Sequence, residues 1–297
     1  MQRFTLGLVI LLALAIGLAA QLPAAQSEAP ARFEVTSIKL NPNQSRGGPR
    51  RLNEFTLSVV RLQPGGRVES VGNSLQNLIA WAYELNGAYQ RVDGKQDMLL
   101  MEFDIAARAE AATVKLPEVR GMMRTLLEER FQLRWHWQPR EIDSYLLMPA
   151  RSDGRQGPAL KPFTDDCAAR ASGPSVPFTS PEWMQKARCG WTGYNGEQRG
   201  VGVSMATIAE RLTMEMMAPV SDRTGWPGLF NFNVIADTSD MPLQERARAS
   251  SALGARPPSE QPRLLDVFRS DLGLKLTKDR AKVNDFVVDS AGPLIEN

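Results

Sequence analysis

The chain has 297 residues, 43% of them hydrophobic and 23% charged, with a formal net charge of +2. This composition fits a soluble globular protein with apolar material for one large core or two modest ones. The near-neutral balance, without any block of like charges, gives no electrostatic basis for nucleic-acid binding.

Residues 1–25 read as an export signal. Arg3 supplies a short positive start, Phe4 to Ala20 is uncharged and apolar, and Ala19, Ala20 and Ala25 offer cleavage points. The run is about as long as a minimal membrane span, so an uncleaved anchor is the competing reading. No later stretch is long and apolar enough to span a bilayer. Either route places the rest of the chain in the periplasm or outside the cell.

Downstream, Phe33 to Lys39 alternates like a strand, and Leu57 to Val71 reads as a hairpin turning at Pro64-Gly65-Gly66. Ser74 suits the N-cap of a helix whose apolar positions Leu75, Leu78, Ile79 and Ala82 follow the i, i+3, i+4, i+7 stripe. Phe103-Asp104-Ile105 reads as a strand, and Leu126 to Met148 as a helix followed by two strands. Arg151 to Arg199 is turn-rich and holds both cysteines, Cys167 and Cys189. An oxidising compartment favours pairing them, and closing that loop would constrain the unfolded chain by about 3 kcal/mol. Two free thiols are the alternative. A structural zinc set is short of ligands, because the chain has a single histidine.

The pattern then recurs. Ser204 to Leu212 matches Ser74 to Ala82 at a constant offset of 130, with Met205, Ile208, Ala209 and Leu212 repeating the helical stripe. Phe232-Asn233-Val234 aligns with Phe103-Asp104-Ile105, and Val267 to Asp289 with Leu126 to Met148. Thr238 to Arg263, rich in Ala, Ser, Pro and Arg, reads as a mobile loop. The expected class is therefore α+β, with internally duplicated helix-strand-strand-helix-strand-strand units. The expected boundaries are a signal peptide at 1–25, a first unit at 26–150, a Cys-containing insert at 151–199 and a second unit at 200–297.

Phe33 to Lys39, Gly66-Arg67, Leu75 to Ile79 with Ala82-Tyr83, Phe103 to Ile105, Met123 to Phe131 and the final Glu296-Asn297 carry a resemblance. They resemble the soil-associated, acidobacterial-type secreted protein family, a domain of unknown function. Gln96-Asp97-Met98-Leu99 and Trp226-Pro227-Gly228-Leu229 depart from its usual pattern. The resemblance brings no catalytic residues. Related modules fused to membrane metallopeptidases of the antibiotic-sensor type imply a role outside the membrane barrier. More distantly, each unit is similar to the short N-terminal domain of secretins and TonB-dependent receptors, which are envelope interaction modules.

No residue set stands out as catalytic. Gly202-Val203-Ser204-Met205-Ala206 approximates a nucleophile elbow, but Ser74 occupies the same place in the other match, and a helix cap explains both serines. His136 falls on the solvent side of an alternating strand, and no second histidine joins it as a metal ligand. Asp165-Asp166, Glu102 and Asp104 are the carboxylates for any glycosidase-like chemistry, with surface solvation as the default for each. Cofactor motifs are absent: there is no S-x-x-K, H-E-x-x-H or Gly-rich phosphate loop. Trp183, Trp191 and Trp226 lie in loops and are the candidate binding residues, since large amphipathic rings dominate interfaces. Filling the space beneath the insert is their competing role. The functional expectation is an exported, non-enzymatic binding module of the bacterial envelope, with an envelope protein or membrane peptidase as partner. An extracytoplasmic hydrolase using carboxylates between the units, or a sensor working with a membrane metallopeptidase, are the alternatives.

Overall fold

The computed structural model describes residues 31–41, 59–171, 188–194, 196–249 and 260–292. The expected signal segment and Trp183 lie outside the described residues.

Three four-stranded sheets organise the described residues. The first contains β1 (Val35–Leu40), β2 (Arg61–Gln63), β3 (Arg67–Ser74) and β5 (Glu102–Arg108), in the antiparallel order β1-β5-β3-β2. The expected hairpin at Pro64-Gly65-Gly66 joins β2 to β3. Alternation on β5 turns Phe103, Ile105 and Ala107 inward, where α1 (Leu75–Ala82) and α3 (Leu116–Arg130) cover them. Leu78, Ile79, Met123 and Leu127 are fully buried there, and each such side chain stabilises by about 2 kcal/mol.

The third sheet has the order β7-β11-β9-β8, from β7 (Lys161–Phe163), β8 (Gly190–Tyr194), β9 (Glu197–Val203) and β11 (Leu229–Ile235). Its core is closed by α5 (Met205–Met216) and α7 (Leu264–Val267), the latter continued by a π-helical turn, Phe268–Leu272. Ile208, Leu212, Phe232 and Phe268 fill it. Between them lies a sheet of order β10-β6-β12-β4, whose centre is β6 (Arg134–Pro149) paired antiparallel with β12 (Leu274–Ser290). Two short strands complete it, β4 (Val92–Asp93) parallel to β12 and β10 (Val220–Asp222) parallel to β6. Phe286 and Val288 enter the first core, while Leu147 and Leu274 enter the second. Two shorter helices, α2 (Gln96–Leu99) and α4 (Cys167–Ala171), sit in connections, and α6 (Pro242–Ala249) falls in the stretch expected to be a mobile loop.

The expected α+β class of duplicated helix-strand-strand-helix-strand-strand units is corrected by this arrangement. Among the described residues, strand accounts for 40% and helix for 26%, in three antiparallel or mixed sheets. The physical reason lies in β6 and β12. Each was read as two strands separated by a turn, but each is one long strand, and the partner of each is the other. The middle sheet therefore mixes strands that the expectation had assigned to separate units.

Candidate functional site

After α1 the chain turns through Glu84, at φ 57°, into a loop held by its own polar side chains. The Asn86 amide N–H donates to Gln90 Oε1 at 2.8 Å, and the Ala88 N–H to Asn86 Oδ1 at 3.1 Å. Two such bonds satisfy backbone donors that no strand reaches. The loop ends in β4, whose pairing with β12 fixes Arg91, Val92 and Asp93 beside the ribbon. Val92 is buried, which leaves Arg91 and Asp93 facing solvent together.

This loop walls one side of a cleft of about 700 Å³. Arg140, Ile142 and Asp143 of β6 form its floor, and Met217, Ala218 and Pro242 from the ends of α5 and α6 form the far wall. The cleft is thus assembled where elements of the two cores meet. Below it, Arg140 donates to Asp285 of β12 through Nε at 2.5 Å and through a terminal nitrogen at 3.0 Å, and also to the Tyr89 carbonyl at 2.8 Å. Asp285 also accepts from the Arg91 backbone N–H at 3.1 Å. Burial pushes the Asp285 pKa upward, but the Arg140 and Arg91 hydrogen bonds and charges outweigh it and hold the carboxyl below its ordinary range. Asp285 is therefore ionised and fully engaged, the opposite of a poised general acid.

A second pocket of about 370 Å³ adjoins the cleft at Gly87. Ala80, Trp81, Leu85 and Met214 give it an apolar lining, and the Arg120 guanidinium sits 5.5 Å from the Trp81 ring centre while pairing with Glu84 at 3.1 Å. Asn77, only 8% exposed, also lines this pocket.

The residues singled out from sequence fall elsewhere. Trp191 packs against the second core, stacked on Phe268 with ring centres 5.4 Å apart, and its Nε1 donates to Gln198 at 2.9 Å. Trp226 packs against the same core and donates to the Gly154 carbonyl at 3.2 Å. Neither lines the cleft. Cys167 and Cys189 form a disulfide across 22 residues of chain, tying α4 to the start of β8. Ser74 and Ser204 cap α1 and α5, accepting from Asn77 N–H at 3.2 Å and Thr207 N–H at 3.1 Å. His136 pairs with Asp289 at 2.9 Å on the exposed side of β6. Asp166 accepts from the Ala168 N–H at the start of α4, and Asp104 accepts from Gly72 N–H and Asn41. Among the described residues, no three His, Cys, Asp or Glu side chains cluster to hold a metal. No helix of the described residues is long and apolar enough to cross a membrane. Sequence reading missed Arg91, Arg140 and Asp285, because the bond that unites the last two spans 145 positions.

Over residues 76–291 the chain matches the family described as a protein of unknown function, DUF3738. No curated protein and no solved structure matches it. The match covers most of the chain, which therefore belongs to the DUF3738 family.

Proposed function

We propose that this DUF3738 protein is an exported, non-enzymatic binding protein of the bacterial envelope, and that its ligand is a small polar molecule taken into the cleft between the two cores. The observation that carries this reading is the cleft itself. Its volume of about 700 Å³ suits a small molecule, its walls come from both cores, and the exposed Arg91 and Asp93 stand at its rim. Adjacent opposite charges fit a ligand bearing both an anionic and a cationic or hydrogen-bonding group. Export is supported by the apolar run after Arg3 and by the Cys167–Cys189 disulfide, a link rare in reducing compartments.

Thermal-shift and native mass-spectrometry measurements with amino acids, short peptides and monosaccharides test the proposal. A ligand at one hundred times its Kd stabilises the fold by about 2.7 kcal/mol. The expected result is a rise in Tm with one of these classes, lost in the double variant Arg91→Ala/Asp93→Ala. A protein whose Tm ignores all three classes, or whose response survives the double variant, has no ligand site here.

A further inference from the structure

On the first sheet, the outer face carries a second feature that shares no lining residue with the cleft. The antiparallel register sets Arg67 of β3 directly opposite Arg108 of β5. Directly opposed residues project from the same face with Cβ atoms about 5 Å apart, and like charges so placed destabilise the sheet. Both side chains are exposed, and neither guanidinium makes an ion pair or hydrogen bond with a described residue. Elsewhere on this face the charges are matched. Arg61 stands opposite Glu69, and Glu69 accepts from the Gln63 amide at 2.9 Å. The pair borders a depression of about 400 Å³, where the small side chain of Ala106 leaves room beside the two arginines and Gln63 and Glu69 share the lining.

We infer that Arg67 and Arg108 form an oxyanion site that takes a phosphate group, as free phosphate or phosphomonoester, or as a phospholipid headgroup. Two guanidinium forks can each donate two parallel N–H bonds, which matches the several oxygens of a tetrahedral anion. The anion also converts the cross-strand repulsion into two attractions, which explains why the sheet tolerates the pair.

The test compares the wild-type protein with Arg67→Gln, Arg108→Gln and the control Arg61→Gln, all exposed positions that leave the core intact. In one arm, inorganic phosphate is titrated at constant ionic strength and Tm is recorded. In the other, co-sedimentation is measured with phosphatidylcholine vesicles with and without phosphatidylglycerol. The expected result is a wild-type response that weakens about tenfold in each of the two pair variants and survives in the control. Without phosphate at low salt, Arg67→Gln melts no lower than wild type, since repulsion has been relieved. A phosphate response without vesicle binding identifies the soluble anion, and vesicle binding without a phosphate response identifies the headgroup. Absence of response in both arms overturns the site, as does a response that the pair variants share with wild type.

Discussion

At the scale of single residues, two glycines show how one local device comes to tolerate different changes. Gly72, at φ 61°, and Gly202, at φ 56°, each sit at a β-bulge, where the backbone N–H donates to a side-chain oxygen of the neighbouring strand, Asp104 in one case and Asn231 in the other. A Cβ on Gly72 would meet nothing closer than Asn41 Nδ2 at 3.6 Å, whereas one on Gly202 would lie 2.6 Å and 2.7 Å from the two disulfide sulfurs. Gly72→Ala should therefore cost about 1 kcal/mol, the left-handed backbone alone, while Gly202→Ala should cost about 3 kcal/mol. Thermal denaturation of the two variants checks the ordering, and equal losses would show that packing on the disulfide does not constrain the site. The Arg140–Asp285 pair gives the second prediction. The Asp285 side chain is only 5% exposed, so Asp285→Ala strands a partly buried guanidinium and should cost about 3 kcal/mol in urea titration. The folded pKa of Asp285 is lowered from 3.8, so the unfolded state binds the proton more readily. Its stabilisation is complete above the ordinary carboxylate range and disappears as pH falls through the lowered value. Wild type and the alanine variant should accordingly converge in stability on acidification below about pH 4.

Elements explain what was legible in the sequence. The stripes Leu75, Leu78, Ile79, Ala82 and Met205, Ile208, Ala209, Leu212 are carried by helices that begin where Ser74 and Ser204 cap them. Those signals lie within a single turn or two, where the spacing of side chains is dictated by the backbone itself. Ser74→Ala and Ser204→Ala should each cost about 1 kcal/mol in thermal unfolding, and a larger loss of ligand response than of stability would contradict the cap assignment. The disulfide was equally legible, since composition and compartment select it; replacing both cysteines by serine should lower stability by about 3 kcal/mol. Register was not legible. Sequence similarity pairs Asp104 with Asn233, yet bulge geometry gives the role of Asp104 to Asn231, because the amide that needs an acceptor sits opposite that position. Nor did alternation disclose that the chain runs straight through Gln138-Pro139-Arg140. Proline reads as a strand breaker, but Pro139 lies where the ribbon has no outer neighbour to receive its missing N–H. The cleft was hidden for the same reason, since its floor and walls come from segments that only long-range pairing assembles.

For the whole molecule, the β6–β12 ribbon joins the two cores into one cooperative body. Leu147 and Leu274 anchor one end, Phe286 and Val288 the other, and neither strand has its main partner within its own half of the chain. A fragment ending at Ala150 would retain β1 to β6 but leave β6 without β12, stripping Phe286 from the Trp135 and Trp137 rings that now pack on it. Such a fragment should fail to give a sharp thermal transition in circular dichroism, whereas the full chain should melt once. Two independent transitions in the full chain would contradict this coupling. The diagonal bond from Arg140 to Asp285 then acquires a further meaning. Sliding β12 by two residues along β6 would keep every side chain on its proper face, so alternation alone does not detect the error. The polar pairs between the two strands, Arg140–Asp285, Arg280–Asp143 and His136–Asp289, are all set to the native register and would have to be remade together. Together they work as alignment pins that tie the ribbon to one register.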